Sequence, residues 1–152
     1  MKLIPDGIMK RVIILIILTC AFCSYCFSQT INNRIITLEI INVIENGGTI
    51  YVSIYSNEQS YRNRQASFSF QFEANSTIIS HELTIPHGEY AIAMFQDSNN
   101  NGRLDYGLFG IPRELVGMSN YFGRGFPANN FDKLKIFVNN TTEKITVGLY
   151  RF

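Results

Sequence analysis

Apolar and polar residues alternate with a period of two along most of the chain. "RIITLEIINVI" places Ile36, Leu38, Ile40 and Ile44 on one face. "TIYVSIY" sets Ile50, Val52 and Ile54 against Thr49, Tyr51, Ser53 and Tyr55. "SFSFQF" sets Phe68, Phe70 and Phe72 against Ser67, Ser69 and Gln71. Four further segments keep the period, led by Ile79, Leu83 and Ile85, by Tyr90, Ile92 and Met94, by Leu134, Ile136 and Val138, and by Ile145, Val147 and Leu149. His81 is the one polar residue in phase with its strand's apolar set. Each segment reads as a strand with one buried face. β-branched and aromatic residues fill them, as a half-buried pleated surface favours.

The connectors agree. "ENGG" at 45–48 is a tight hairpin signal, and "PHG" at 86–88 and "NNTT" at 139–142 are turns. No stretch after the N-terminal segment carries a clear helical period, although "YSNEQSYRNRQ" has room for one helical turn. The pattern predicts an all-β domain: a seven-stranded antiparallel β-sandwich, immunoglobulin-like or transthyretin-like, with a Greek key. A closed barrel is the second choice. "LTIPHGEY" weakly resembles the tyrosine corner of immunoglobulin-type sandwiches. Residues 97–130 break the alternation. They read as one long ordered loop, because Phe109, Leu115, Tyr121 and Phe126 among others give it apolar surface to bury.

The N-terminus changes the domain count. Lys10 and Arg11 precede the uncharged apolar run "VIILIILTCAFCSYCF", and small and polar residues follow at "SQT". These are the parts of a secretory signal peptide, residues 1–28, with Gln29 as the new N-terminus. The rival reading is a retained N-terminal anchor, for which the run is short. Residues 29–152 then form a single domain. Cys20, Cys23 and Cys26 all fall in the signal segment, which removes disulfides, thiolate metal sites and cysteine nucleophiles from the mature chain. The signal takes three of the 13 basic residues and one of the 12 acidic ones, so the domain is near neutral. That balance argues against a nucleic-acid surface or a polybasic membrane patch.

Within 87–131 a family resemblance emerges. "GEYAIA", the run D-x-N-x-N-G-x-L-D from Asp97 to Asp105, "GIP-x-E" ending at Glu114, "G-x-SN" ending at Asn120 and the later "PANNF" follow one another in order. Together with "GGTIYVSIYS" they resemble DUF2141, a family of secreted bacterial domains of unknown function. The resemblance covers nearly the whole mature chain. Relatives often read His-Asp where Gln96 precedes Asp97 here. The resemblance implies a secreted, sandwich-like domain and no assigned reaction.

One stretch carries candidate chemistry. "DSNNNGRLD" puts side-chain oxygens at its first, third, fifth and ninth places, Asp97, Asn99, Asn101 and Asp105, with Gly102 at the sixth. Calcium takes six to eight hard oxygen ligands, and alternate side chains of a tight loop can supply them. Arg103 would offer its backbone oxygen. Glu114 would complete the shell in place of the missing acid at the twelfth position, which is Leu108. The stretch resembles the calcium loops of bacterial surface β-domains and not an EF-hand, for no helices flank it. The competing reading is a self-capped polar turn without an ion, since Asn and Asp bond their own backbone.

Signals for catalysis are poor. His81 and His87 sit in a strand and a turn, and Ser119 lacks the context of a nucleophile elbow. "YFGRGFPANNF" offers Tyr121, Phe122, Arg124 and Phe126 either as a recognition patch or as rings closing one end of the sandwich. The favoured expectation is closure of the sandwich. Two functions stay open. One is a secreted, non-catalytic, calcium-stabilised module of the cell envelope that binds an envelope protein or carbohydrate, without membrane insertion after signal cleavage. The other is a hydrolase acting on envelope carbohydrate or peptide.

Overall fold

The computed structural model describes residues 32–152. The expected signal peptide and its cleavage point before Gln29 lie outside the described residues. Eight strands form: β1 (Asn33–Ile41), β2 (Thr49–Tyr55), β3 (Phe68–Glu73), β4 (Ile78–Pro86), β5 (Gly88–Asp97), β6 (Leu115–Met118), β7 (Ile136–Val138) and β8 (Lys144–Gly148). Two short α-helices, α1 (Glu58–Arg62) and α2 (Phe131–Leu134), and a 3-10 turn at Leu108–Gly110 interrupt them. One sheet has the order β4-β1-β8. The other has the order β3-β2-β5-β6, and β7 pairs with the start of β5. Inward side chains from both sheets form one core that includes Ile36, Leu38 and Ile40, Ile50, Val52 and Ile54, and Ile92 and Met94. The architecture is sandwich-like. Among the described residues no helix is long and apolar enough to cross a membrane.

The structure departs from the sequence reading in several places, one of them Leu134, which lies in α2 and not in the strand of Ile136 and Val138. The described residues hold eight strands and not seven, because β6 lies inside the segment expected to be a loop. Val116 pairs with Phe95 and also bridges to Tyr150, and both Val116 and Gly117 are buried. A strand hydrogen-bonded on both sides and covered on both faces shows no alternation. The smaller sheet is mixed, not antiparallel, for β1 runs parallel to β8 from Thr37↔Lys144 to Ile41↔Gly148.

Another departure is at "ENGG", which passes between the sheets and does not pair β1 with β2. β1 ends at Ile41, Asn42 takes a left-handed φ of 61°, and Val43 turns inward while Ile44 faces solvent. Buried Gln96 holds this crossing. Its Nε2 donates to the carbonyls of Ile44 at 2.6 Å and Gly47 at 3.0 Å, and its Oε1 accepts from the Ile44 amide at 3.0 Å. The corner after β4 follows its expectation. The Tyr90 hydroxyl donates to the Pro86 carbonyl at 3.0 Å.

Candidate functional site

β5 delivers Asp97 to the end of the larger sheet, where the chain turns away into the loop. Asp97 is 0% exposed. Its Oδ1 accepts from the Asn101 amide at 3.2 Å and its Oδ2 from the Gly102 amide at 2.7 Å. Gly102 has a φ of +77° and Asn100 one of +58°, which curl the loop back over the carboxylate. Only glycine, with asparagine behind it, enters this region at low cost.

The other oxygens continue the pattern. Asn99 Oδ1 accepts from the Asn101 amide at 3.1 Å, and Asn101 Oδ1 from the Arg103 amide at 3.0 Å. Both asparagine Nδ2 groups donate to Asp105 Oδ2 at 2.8 Å. The Arg103 guanidinium lies 3.4 Å from Asp105 Oδ1. The Asn99 amide first, then the Asn101 amide and Arg103, hold the Asp105 carboxyl below the usual aspartate range.

Glu114 reaches the same loop from the residue before β6. It is 4% exposed. Its Oε1 accepts from the Ser98 amide at 3.0 Å and its Oε2 from the Asp105 amide at 3.3 Å, so one carboxylate clasps both ends of the loop. The fold thus joins Asp97, Asn99, Asn101, Arg103, Asp105 and Glu114 in one hydrogen-bonded unit.

Among the described residues no three His, Cys, Asp or Glu side chains converge to grip a metal ion alone. Any ion here would draw on amide and main-chain oxygens too. The donor set suits that. A carboxylate has about four lone-pair sites, and the backbone donors occupy two on Asp97 and two on Glu114. Asn99 and Asn101 keep a second lone pair on each oxygen.

Sequence reasoning missed three features nearby. Gly48, with a φ of +87°, lets the inter-sheet turn touch the loop, for a Cβ there would lie 1.9 Å from the Asp97 carbonyl oxygen. Gln96 braces that turn. Ser119 ties β5 to α2, its Oγ accepting from the Ile92 amide at 2.9 Å and donating to the Leu134 carbonyl at 2.6 Å. These residues pair with main chain distant in sequence, which no local pattern reveals.

The aromatic segment after β6 divides, against the expectation that its rings close the sandwich. Tyr121 is buried and packs on Tyr150 and Phe152, with centroids at 5.4 Å and 5.8 Å. Phe122 and Phe126 are 77% and 78% exposed. Positive φ at Gly123 and Gly125 turns the chain out between them, and Gly123 sits against the Tyr150 ring where a Cβ would collide.

The family described as "Uncharacterized protein conserved in bacteria (DUF2141)" matches residues 38–146. The chain belongs to DUF2141. The match begins in β1, ends in β8 and includes the whole Asp97–Glu114 unit. The segments that carried the resemblance have structural roles here. Within the "GIP-x-E" segment, Glu114 clasps the loop. Within the "G-x-SN" segment, Ser119 and Asn120 bind the main chain around α2. Asn130 of "PANNF" caps α2, its Oδ1 accepting from the Lys133 amide at 3.0 Å. No curated protein and no solved structure matches the chain.

Proposed function

We propose that this DUF2141 chain is a secreted, non-catalytic β-sandwich module of the bacterial cell envelope, stabilised by calcium in the Asp97–Asp105 loop. The observation that carries the calcium reading is the state of Asp97 and Glu114. Both are buried, and neither joins the salt bridges found among the described residues. Burying a carboxylate is costly unless hydrogen bonds and a countercharge compensate it. Backbone amides supply the hydrogen bonds. A bound cation supplies the charge, and the free lone pairs of Asp97, Asn99, Asn101, Asp105 and Glu114, with the Arg103 carbonyl, supply its ligands.

The charged start and apolar run at the N-terminus support secretion. The non-catalytic reading rests on what the reactive side chains are doing. Ser119 is spent on two main-chain bonds, and His81 stacks on Phe72 with centroids 3.9 Å apart. The transthyretin-like arrangement fits better than the immunoglobulin-like one. Immunoglobulin domains keep their first two strands in one sheet, whereas β1 and β2 lie in different sheets here.

The test is a calcium titration followed by the backbone amide resonances of Asn101, Gly102 and Arg103. Saturable shifts are expected, with a Kd on the order of 10⁻⁴–10⁻³ M and a weaker response to magnesium. Unchanged resonances at about ten millimolar calcium contradict the proposal.

A further inference from the structure

The outward face of the larger sheet carries an aromatic pair at β2 and β5 among polar side chains of β2 and β3. Tyr51 of β2 and Phe95 of β5 are register partners. Their rings stack with centroids 5.1 Å apart and planes 8° apart. Both rings line two open clefts, one of about 520 Å³ toward β3 and one of about 500 Å³ toward β6. Ser69 and Gln71 add a hydroxyl and an amide to the first. The second is bounded by Tyr61 of α1 and Tyr106 from the loop. Arg62, Arg64 and Asn129 stand at its margin, and no Asp or Glu lines either cleft among the described residues. Arg62 is paired with Glu58, while Arg64 joins no salt bridge among the described residues.

We propose that this face binds a carboxylate-bearing oligosaccharide, which deepens the reading of the chain as a binding module. Each cleft falls in the size range of ligand sites, which combine aromatic walls with a few placed polar groups. Aromatic rings offer flat apolar surface to the C–H face of a pyranose. Ser53, which lines both clefts, and Gln71 and Asn129 match ring hydroxyls. A guanidinium without a protein partner matches a carboxylate in two-point geometry. Two clefts sharing one aromatic pair suit a chain of sugars better than a single ring. An extended peptide would add to a sheet edge and not lie across a sheet face.

The experiment titrates the full chain with hexasaccharides of hyaluronan, alginate and polygalacturonate, and with neutral hexasaccharides of chitin and cellulose, by calorimetry. Tyr51→Ala and Arg64→Ala are tested beside the unmutated protein, with melting curves to confirm that each is folded. At least one acidic fragment is expected to bind about tenfold more tightly than either neutral one, and both substitutions to weaken it about tenfold. The proposal is overturned if no acidic fragment binds, if neutral fragments bind equally well, or if both folded variants bind as the unmutated protein does. Binding of an acidic peptide in place of the sugars also overturns it. The amide titration with calcium contains no sugar, so failure of the loop reading and failure of this one are separable.

Discussion

Ile92 and Asp97 sit on the same strand, and both are buried. Ile92 belongs to the apolar cluster between the two sheets. Asp97 is held by the amides of Asn101 and Gly102 and lies beside a second buried carboxylate network at Glu114. The sheets are stabilised by removal of apolar surface from water, which is non-directional and needs only a period-two pattern. The loop is stabilised by directional bonds from carboxylate and amide oxygens to its own backbone, which need particular residues at particular places. The first kind of order tolerates exchange among apolar residues of similar size. The second does not, and it leaves negative charge buried.

Four substitutions or conditions probe that contrast. Ile92→Ala opens a cavity between the sheets and should cost about 2–5 kcal/mol in urea unfolding, equally with and without calcium. A calcium-dependent cost would show that the core and the loop are not separate. Asp97→Ala leaves the Gly102 amide without its acceptor and the Asn101 amide with Asn99 Oδ1 alone, at about 1–3 kcal/mol for a group that stays buried unpaired. Hydrogen exchange should quicken at those two amides and hold steady at Ile92; equal acceleration at both places would make loop and sheets one cooperative unit. Phe122→Ala should change stability by no more than about 0.5 kcal/mol, because the ring is exposed. A large drop in melting temperature would mean that the ring is buried against something.

The smallest effect is electrostatic. The Arg62 guanidinium first, and then the Phe131 amide, hold the Glu58 carboxyl below its usual value of 4.5. A carboxyl lowered on folding stabilises the protein above its unfolded value, and that contribution is lost as pH falls through the folded value. Glu58→Gln should therefore melt slightly lower at neutral pH and converge with the unmutated protein in acid. A difference that persists below pH about 3 would contradict the assignment of that contact.

The strands were legible wherever one face is wet. β1 through β5 carry the apolar sets that alternation assigns to the core, including Ile36, Ile50 and Leu83. β6 was not legible, because the successive residues Val116 and Gly117, on its two faces, are both buried and leave no wet face to mark the period. The crossing at "ENGG" was misread as a hairpin, since the turn residues are right but the brace, Gln96, is distant in sequence. In the loop, Asp97, Asn99, Asn101 and Asp105 fall in one bonded unit, and Glu114 accepts from the Ser98 and Asp105 amides of that unit. The aromatic clefts escaped notice although Tyr51 and Tyr55 stood at outward positions of β2. A ring at an outward position was counted only as a strand former, and its neighbour across the sheet, Phe95, is visible only once the register is known.

The most direct test of the calcium proposal is a pair of melting curves, one in millimolar calcium and one in chelator, for the unmutated protein and for Asp97→Ala. An ion that binds only the folded state adds RT ln(1 + [L]/Kd), about 1.4 kcal/mol at a tenfold excess over Kd. The unmutated protein should melt several degrees higher in calcium, on the order of 2–8 °C per kcal/mol, and Asp97→Ala should melt at one temperature in both. If the unmutated protein melts at the same temperature in calcium and in chelator, the loop is a self-capped polar turn and the calcium account is wrong.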